Sequence, residues 1–174
     1  MKMRVFCGSV VAVAALFGAS AVWAQESKPV GLSLRAGLVW PNSGQARQEG
    51  QSWFGAGLDY KIGNIGFGNK AEGFSSSYGI SADVFSKGDF SSVPVTLNYT
   101  GRKDQFYYSA GAGVAFIKFP RTSTETRKET RVAYQFSVGY DFGRTGTPIF
   151  VEARYFGNFE SRLAAFGAFV GVRF

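Results

Sequence analysis

Beyond residue 30 the chain alternates between apolar and other residues with period two, in eight stretches separated by turn-rich gaps. The stretches are Val30–Trp40, Phe54–Ile62, Tyr78–Phe85, Val93–Thr100, Phe106–Ile117, Val132–Phe142, Ile149–Phe156 and Ala164–Phe174. Within each, one face is apolar throughout: Leu32, Leu34, Ala36, Leu38 and Trp40 in the first, Phe166, Ala168, Val170, Val172 and Phe174 in the last. None of these faces carries a charge or an amide. The opposite faces are mostly Gly, Ser and Ala with isolated charges, such as Gly31, Ser33, Arg35 and Gly37. Alternation held in one phase for eight to twelve residues predicts strands long enough to cross a bilayer when tilted.

A soluble barrel would also alternate, with its apolar face turned inward and Lys, Glu and Thr turned to water. Here the less apolar face is too small and too sparsely charged for a solvated surface. It suits the narrow inside of a small barrel, where side chains just fill the space. The expected fold is therefore all-β, an eight-stranded antiparallel up-and-down transmembrane β-barrel.

Composition agrees with that choice. Gly contributes 23 residues and aromatics 17%, which a barrel with aromatics outside and small residues inside accommodates. The N-terminus has a different character. Lys2 and Arg4 precede an apolar, small-residue run, Val5 to Val22, and Val22-Trp23-Ala24 forms a cleavage pattern before Gln25. Residues 1–24 are expected to be a cleaved signal peptide and residues 25–174 the barrel. A membrane anchor is the rival for the first segment; Gly8, Ser9, Gly18 and Ser20 favour cleavage. Cys7 precedes most of the apolar run, so it does not match a lipoprotein acylation site. Removing Lys2 and Arg4 from 19 basic residues against 12 acidic leaves a net charge of +5.

An even strand number in an exported chain puts both termini in the periplasm of a bacterial outer membrane. The outward loops are then Pro41–Ser52, Ser86–Ser92, Lys118–Arg131 and Gly157–Leu163. Thr100–Gln105 and Gly143–Pro148 are short periplasmic turns, and Gly63–Ser77 is a long one in which Ile65, Phe67 and Phe74 extend the flanking strands. Trp40 and Trp53 flank the first outward loop, with Phe116 and Tyr134 near the third. Tyr60, Tyr78, Tyr99, Phe106, Phe142 and Phe174 gather at the other end. Two aromatic girdles are expected.

The ending Phe166-x-Ala168-x-Val170-x-Val172-x-Phe174 resembles the terminal signal read by the barrel-assembly machinery of the outer membrane. Val93-Pro-Val-Thr-Leu-Asn-Tyr99, Ala110-Gly-Ala-Gly-Val-Ala-Phe116 and Phe150-Val-Glu-Ala-Arg-Tyr-Phe156 resemble strands of the outer-membrane β-barrel superfamily that includes the membrane domain of outer membrane protein A. The resemblance covers essentially residues 25–174 and is a pattern match at superfamily level. It implies outer-membrane lipid, lipopolysaccharide and the assembly machinery as partners, with Phe166, Val170, Val172 and Phe174 as the assembly signal.

Eight charges are expected inside: Arg35, Lys61, Arg154 and Arg173 against Asp59, Asp83, Asp141 and Glu152. Unpaired, they would be costly in a poorly solvated lumen, which predicts a salt-bridge network centred on Arg35, Glu152 and Arg154. Catalysis is not expected. The chain has no His, and its single Cys lies in the leader, so Ser–His or Cys–His nucleophiles and His-based metal sites are excluded. No cofactor is expected. Gly111-Ala-Gly113 begins like a phosphate loop, but Phe116 occupies the third glycine position and small inward residues explain the pair. Asn98-Tyr99-Thr100 is a sequon inside a strand and reads as coincidence.

Of the loops, Lys118–Arg131 is the most distinctive. Arg121, Arg127, Lys128 and Arg131 stand against Glu125 and Glu129, interleaved with threonines that favour extension of the hairpin. It is either merely solvated or a contact for lipopolysaccharide phosphates or for an added strand. Nucleic acid is not an expected partner in this compartment. The expected role is non-enzymatic, structural or surface-interacting through the loops; the alternative is a small pore or transporter for ions or small solutes. Ligand and external partner are not legible in the sequence.

Overall fold

The computed structural model describes residues 31–65, 74–120, 126–142, 148–159 and 164–174. The expected leader 1–24, together with Val30, Phe67, Arg121 and Glu125, lies outside them. Eight strands occur in chain order: β1 Leu32–Pro41, β2 Trp53–Asn64, β3 Phe74–Lys87, β4 Phe90–Lys103, β5 Phe106–Pro120, β6 Thr126–Phe142, β7 Ile149–Asn158 and β8 Ala165–Arg173. Each pairs antiparallel with its sequence neighbours, and β1 pairs with β8 through Leu34↔Val172 and Leu38↔Ala168. The sheet is thus a closed, up-and-down, eight-stranded antiparallel barrel with no free lateral edge along its body. Past the strand's end, Phe174 tightens the seam: its N–H donates to Leu32 O and its carbonyl accepts from Gly31 N, both at 2.8 Å.

Alternation assigns the two faces. Of the apolar positions named by the sequence pattern, every described one except Ala164 lies at the outer surface or partly so, and the buried residues of the strands come mostly from the positions between them. Phe54, Leu97, Phe106, Phe116, Val132, Phe136, Phe142, Ile149 and Val170 are all more than half exposed. The protein therefore wears a belt of large apolar side chains on the outside, around the whole circumference.

Several strands run beyond their expected ends. β3 starts at Phe74, β4 spans Phe90–Lys103, and β6 starts at Thr126. The expected loop Ser86–Ser92 shrinks to a two-residue turn, Gly88–Asp89, between paired Lys87 and Phe90. Gly88 adopts φ +57°, the left-handed conformation that a tight hairpin requires at its first central position. Most of Lys118–Arg131 is likewise a paired hairpin, down to Pro120↔Thr126. Backbone pairing persists there although the outer face turns from apolar to Ser, Thr and Lys, which is where a hydrophobic pattern stops reporting a strand. The first loop holds a short helix, α1 Gly44–Gln48, whose Ala46 is fully buried.

Candidate functional site

Three layers of side chains occupy the barrel. At the end away from the termini, Val39, Trp53, Phe85, Phe90, Ile117, Phe119, Phe156 and Phe169 form an apolar cluster that Ala46 of α1 joins from the loop. Phe85 and Phe156 meet across the lumen at 5.1 Å, and Phe156 meets Phe169 of the neighbouring strand at 6.1 Å. Trp53 packs on Phe85 and Phe90 while its indole N–H donates to Gly50 O. This corrects two expectations. The interior is not small throughout, and Trp53 is not a girdle residue, since only 1% of it is exposed. The period-two phase that turns Phe54 outward turns Trp53 inward. Trp40 does face out, 6.2 Å from Phe166.

The middle layer is ionic. Arg35 from β1 reaches Asp59 on β2 and Asp83 on β3, with Nε and NH2 both on Asp83 Oδ1 at 3.0 and 2.6 Å. Arg154 from β7 binds Glu152 at 2.7 Å on its own strand and Asp83 Oδ2 at 3.1 Å across the lumen. Ser81 bridges the two guanidiniums at 2.9 and 2.8 Å. Gln135 accepts from Arg154 and donates to Asn98, which also accepts from Thr96. Among the described residues, no buried side-chain nitrogen or oxygen lacks a partner. That satisfaction is what makes so much buried charge tolerable.

Glycine makes the room. A Cβ at Gly57 would lie within 2.9 Å of Arg35 Nε and NH2 and closer still to Asp83. At Gly111 it would meet the Asn98 amide and at Gly139 the Tyr107 ring, so these inward glycines are spaces for neighbouring side chains. Gly111 is thereby accounted for, a Cβ at Gly113 would instead meet the backbone of Val95 and Thr96, and Asn98 is buried inside the barrel.

At the end bearing the termini, Arg173 lies between the rings of Tyr107 and Phe150, 4.4 Å from each centroid. Its Nε donates to Asp141 at 2.9 Å and its NH1 to Ser33 at 3.3 Å. Arg102 pairs with the other oxygen of Asp141 and covers Tyr107 from 5.4 Å. The Tyr107 hydroxyl donates to Glu152 at 3.0 Å and so joins this layer to the ionic one.

Among the residues expected inside, Arg35, Asp59, Asp83, Glu152 and Arg154 form the central cluster, and Asp141 and Arg173 the terminal one. Lys61 belongs to neither. Its residue is exposed, and the strand is irregular beside it, the register shifting between Lys61 and Gly63. Arg102 takes the fourth cationic place. Sequence reasoning missed it because it stood in an expected turn, yet it lies on β4 in phase with Asn98 and Thr96. The three residues expected at the centre lie together, Glu152 reaching Arg154 at 2.7 Å and Arg35 at 3.9 Å, and Asp83, from across the barrel, joins them by contacting both guanidiniums.

Outside the lumen, Arg127, Lys128 and Arg131 lie on β6, not in a loop. Glu129 binds Arg127 and Arg131 at 2.5 Å, one through each carboxylate oxygen. Phe166 and Val170 of the expected assembly signal project outward from β8, and Val172 and Phe174 are half-buried. Among the described residues, no group of His, Cys, Asp and Glu is arranged to hold a metal ion. Fold and interior define a closed eight-stranded barrel packed with paired charges between two aromatic layers. A comparison with protein-family models gives no match, and a comparison with curated proteins gives none.

Proposed function

We propose that this protein is a bacterial outer-membrane β-barrel without enzymatic activity, serving a structural or surface-interaction role, with both termini in the periplasm. One observation carries the reading: the belt of exposed large apolar side chains runs around every strand, from Phe54 and Leu58 through Leu97 and Phe136 to Val170. Monomeric soluble proteins rarely expose contiguous apolar patches larger than a few hundred Å². Lipid is the medium in which such a surface costs least, and a closed barrel satisfies its backbone there without water. The resemblance of the Phe166–Phe174 ending to an assembly signal and the leader-like first 24 residues support the same reading.

The interior argues against the pore alternative. Rings close it at one end, the Arg173 sandwich occupies the other, and the ions between are paired with each other. Membrane fractionation with gel mobility before and after boiling tests the proposal. The barrel is expected in the outer-membrane fraction, migrating faster unboiled; a wholly soluble chain with one mobility overturns it. In planar bilayers no steady conductance steps are expected, and such steps would restore the pore reading.

A further inference from the structure

At the mouth away from the termini, one short segment lies over the apolar cluster. It leaves β1 at Pro41, which pairs with Ala165, and the N–H of Asn42 donates to Ala164 O at 2.7 Å. It rejoins the barrel at Trp53, opposite Val39. Between these ends α1 puts one residue, Ala46, into the cluster, while Gln45, Arg47, Gln48 and Glu49 are exposed. Five residues are too few for a helix to sustain itself, and Ser43 gives it no side-chain cap. What holds α1 down is therefore what it touches.

Among the described residues its fastenings are few and polar. Arg47 Nε donates to Pro41 O at 2.8 Å, and the Trp53 indole N–H to Gly50 O at 3.0 Å. Lys87, at the end of β3, donates to Ser52 O at 3.0 Å. Its side chain lies across Gly50, where an added Cβ would run into Nζ and Cε. The Glu49 carboxylate rests in the same way against Gly88 of the β3–β4 turn. Gly50 has φ +142°, a conformation that residues with a side chain rarely adopt, so it supplies both the bend and the seat for Lys87.

We propose that α1 is a latched lid: residues 43–51 lift as a unit between Asn42 and Ser52 while the barrel beneath stays intact. Segments that bury little apolar surface and hold on by exposed hydrogen bonds are the ones that open locally. Lifting parts Ala46 from the cluster and Gly50 O from the Trp53 indole. The top layer then becomes a blind cup walled by Trp53, Phe85, Phe90, Phe156 and Phe169. Its floor is the ionic layer, where Arg35, Asp83 and Arg154 remain paired. Opening thus gives solutes on that side access to an apolar surface and not to a pore. The lid works at the mouth alone, whether or not lipid surrounds the barrel.

Hydrogen exchange of the full chain refolded in micelles, followed by NMR, tests the lid. Its reporters are the N–H groups of Arg47, Glu49 and Gly50, bonded to Ser43 O, Ala46 O and Arg47 O, and the Trp53 indole N–H. The four are expected to exchange together, at least about tenfold faster than the ladder N–H groups of β2 and β3. Lys87→Ala should speed them about fivefold, the factor that one hydrogen bond contributes, and leave β2 and β3 unchanged. In a Cys7→Ser background, Glu49→Cys with Gly88→Cys places a disulfide across the latch. Oxidation should slow the four about tenfold and reduction restore them; both states carry the same strain at residue 88. Exchange of the four only at the rate of the strands would make α1 a fixed cap. Exchange of the α1 groups without the Trp53 indole would be fraying that leaves the mouth covered. Either result overturns the proposal, as does Lys87→Ala without effect or an oxidised pair that exchanges as fast as the reduced one.

Discussion

Arg35 of β1 and Asp83 of β3 do not share a strand pair, yet Arg35 NH2 meets Asp83 Oδ1 at 2.6 Å across the lumen, while Arg154 holds Oδ2 at 3.1 Å. One carboxylate thus ties strands on opposite sides of the barrel. All three side chains are nearly inaccessible, so water cannot substitute for a missing member.

Replacing Arg35 with Met should therefore destabilise the barrel by about 3–5 kcal/mol, because Asp83 and Asp59 stay buried with half their compensation gone. Adding Asp83→Asn to that variant should recover part of the loss. Urea unfolding of the refolded protein in micelles measures both; equal stability of Arg35→Met and wild type would show the pair to be dispensable.

Gly57 provides a steric test of the same centre. Gly57→Ala forces a methyl group between Arg35 and Asp83 and should cost about 1–3 kcal/mol. At Gly44 nothing lies within 4 Å of the added atom, so Gly44→Ala should stay within about 0.5 kcal/mol. Parallel unfolding curves for the two variants give the comparison directly.

The terminal layer depends on a planar cation. Arg173→Lys keeps a positive charge near Asp141 but cannot stack flat between Tyr107 and Phe150. A loss of about 1 kcal/mol is expected, much of it restored by no other cation, since the guanidinium plane is what both rings contact. Thermal melts of Arg173→Lys beside Arg173→Met separate the contribution of charge from that of shape.

The two tryptophans of residues 25–174 report opposite environments. Trp40 stands on the outer surface and Trp53 inside the apolar cluster. In bilayers of brominated lipid, fluorescence from a Trp53→Phe variant should be strongly quenched, and that from Trp40→Phe only slightly. Quenching of both to the same degree would contradict either the lipid-facing belt or the burial of Trp53.

The tryptophans also illustrate how far the sequence could be read. Both sit beside a loop rich in turn residues, and proximity to a rim suggested a girdle role for each. Strand phase was the better guide, because it is imposed by the pleat and does not depend on residue type. Arg102 and Lys61 exchanged roles for a related reason. Arg102 lies where the apolar outer face has given way to Gly101 and Lys103, so the pattern fell silent while the strand continued. Lys61 lies where the register shifts and the simple count of two is interrupted.

What the sequence determined by itself was the number of strands, their order and, within each regular stretch, the face most residues occupy, since alternation is local and the pleat leaves a side chain only two directions. Tertiary structure alone decided which inward groups meet. Closure and stagger of the barrel set Asp83 against Arg35 and Arg154 and put Arg173 between two rings. Those relations depend on position around and along the barrel, a coordinate that a period of two does not carry.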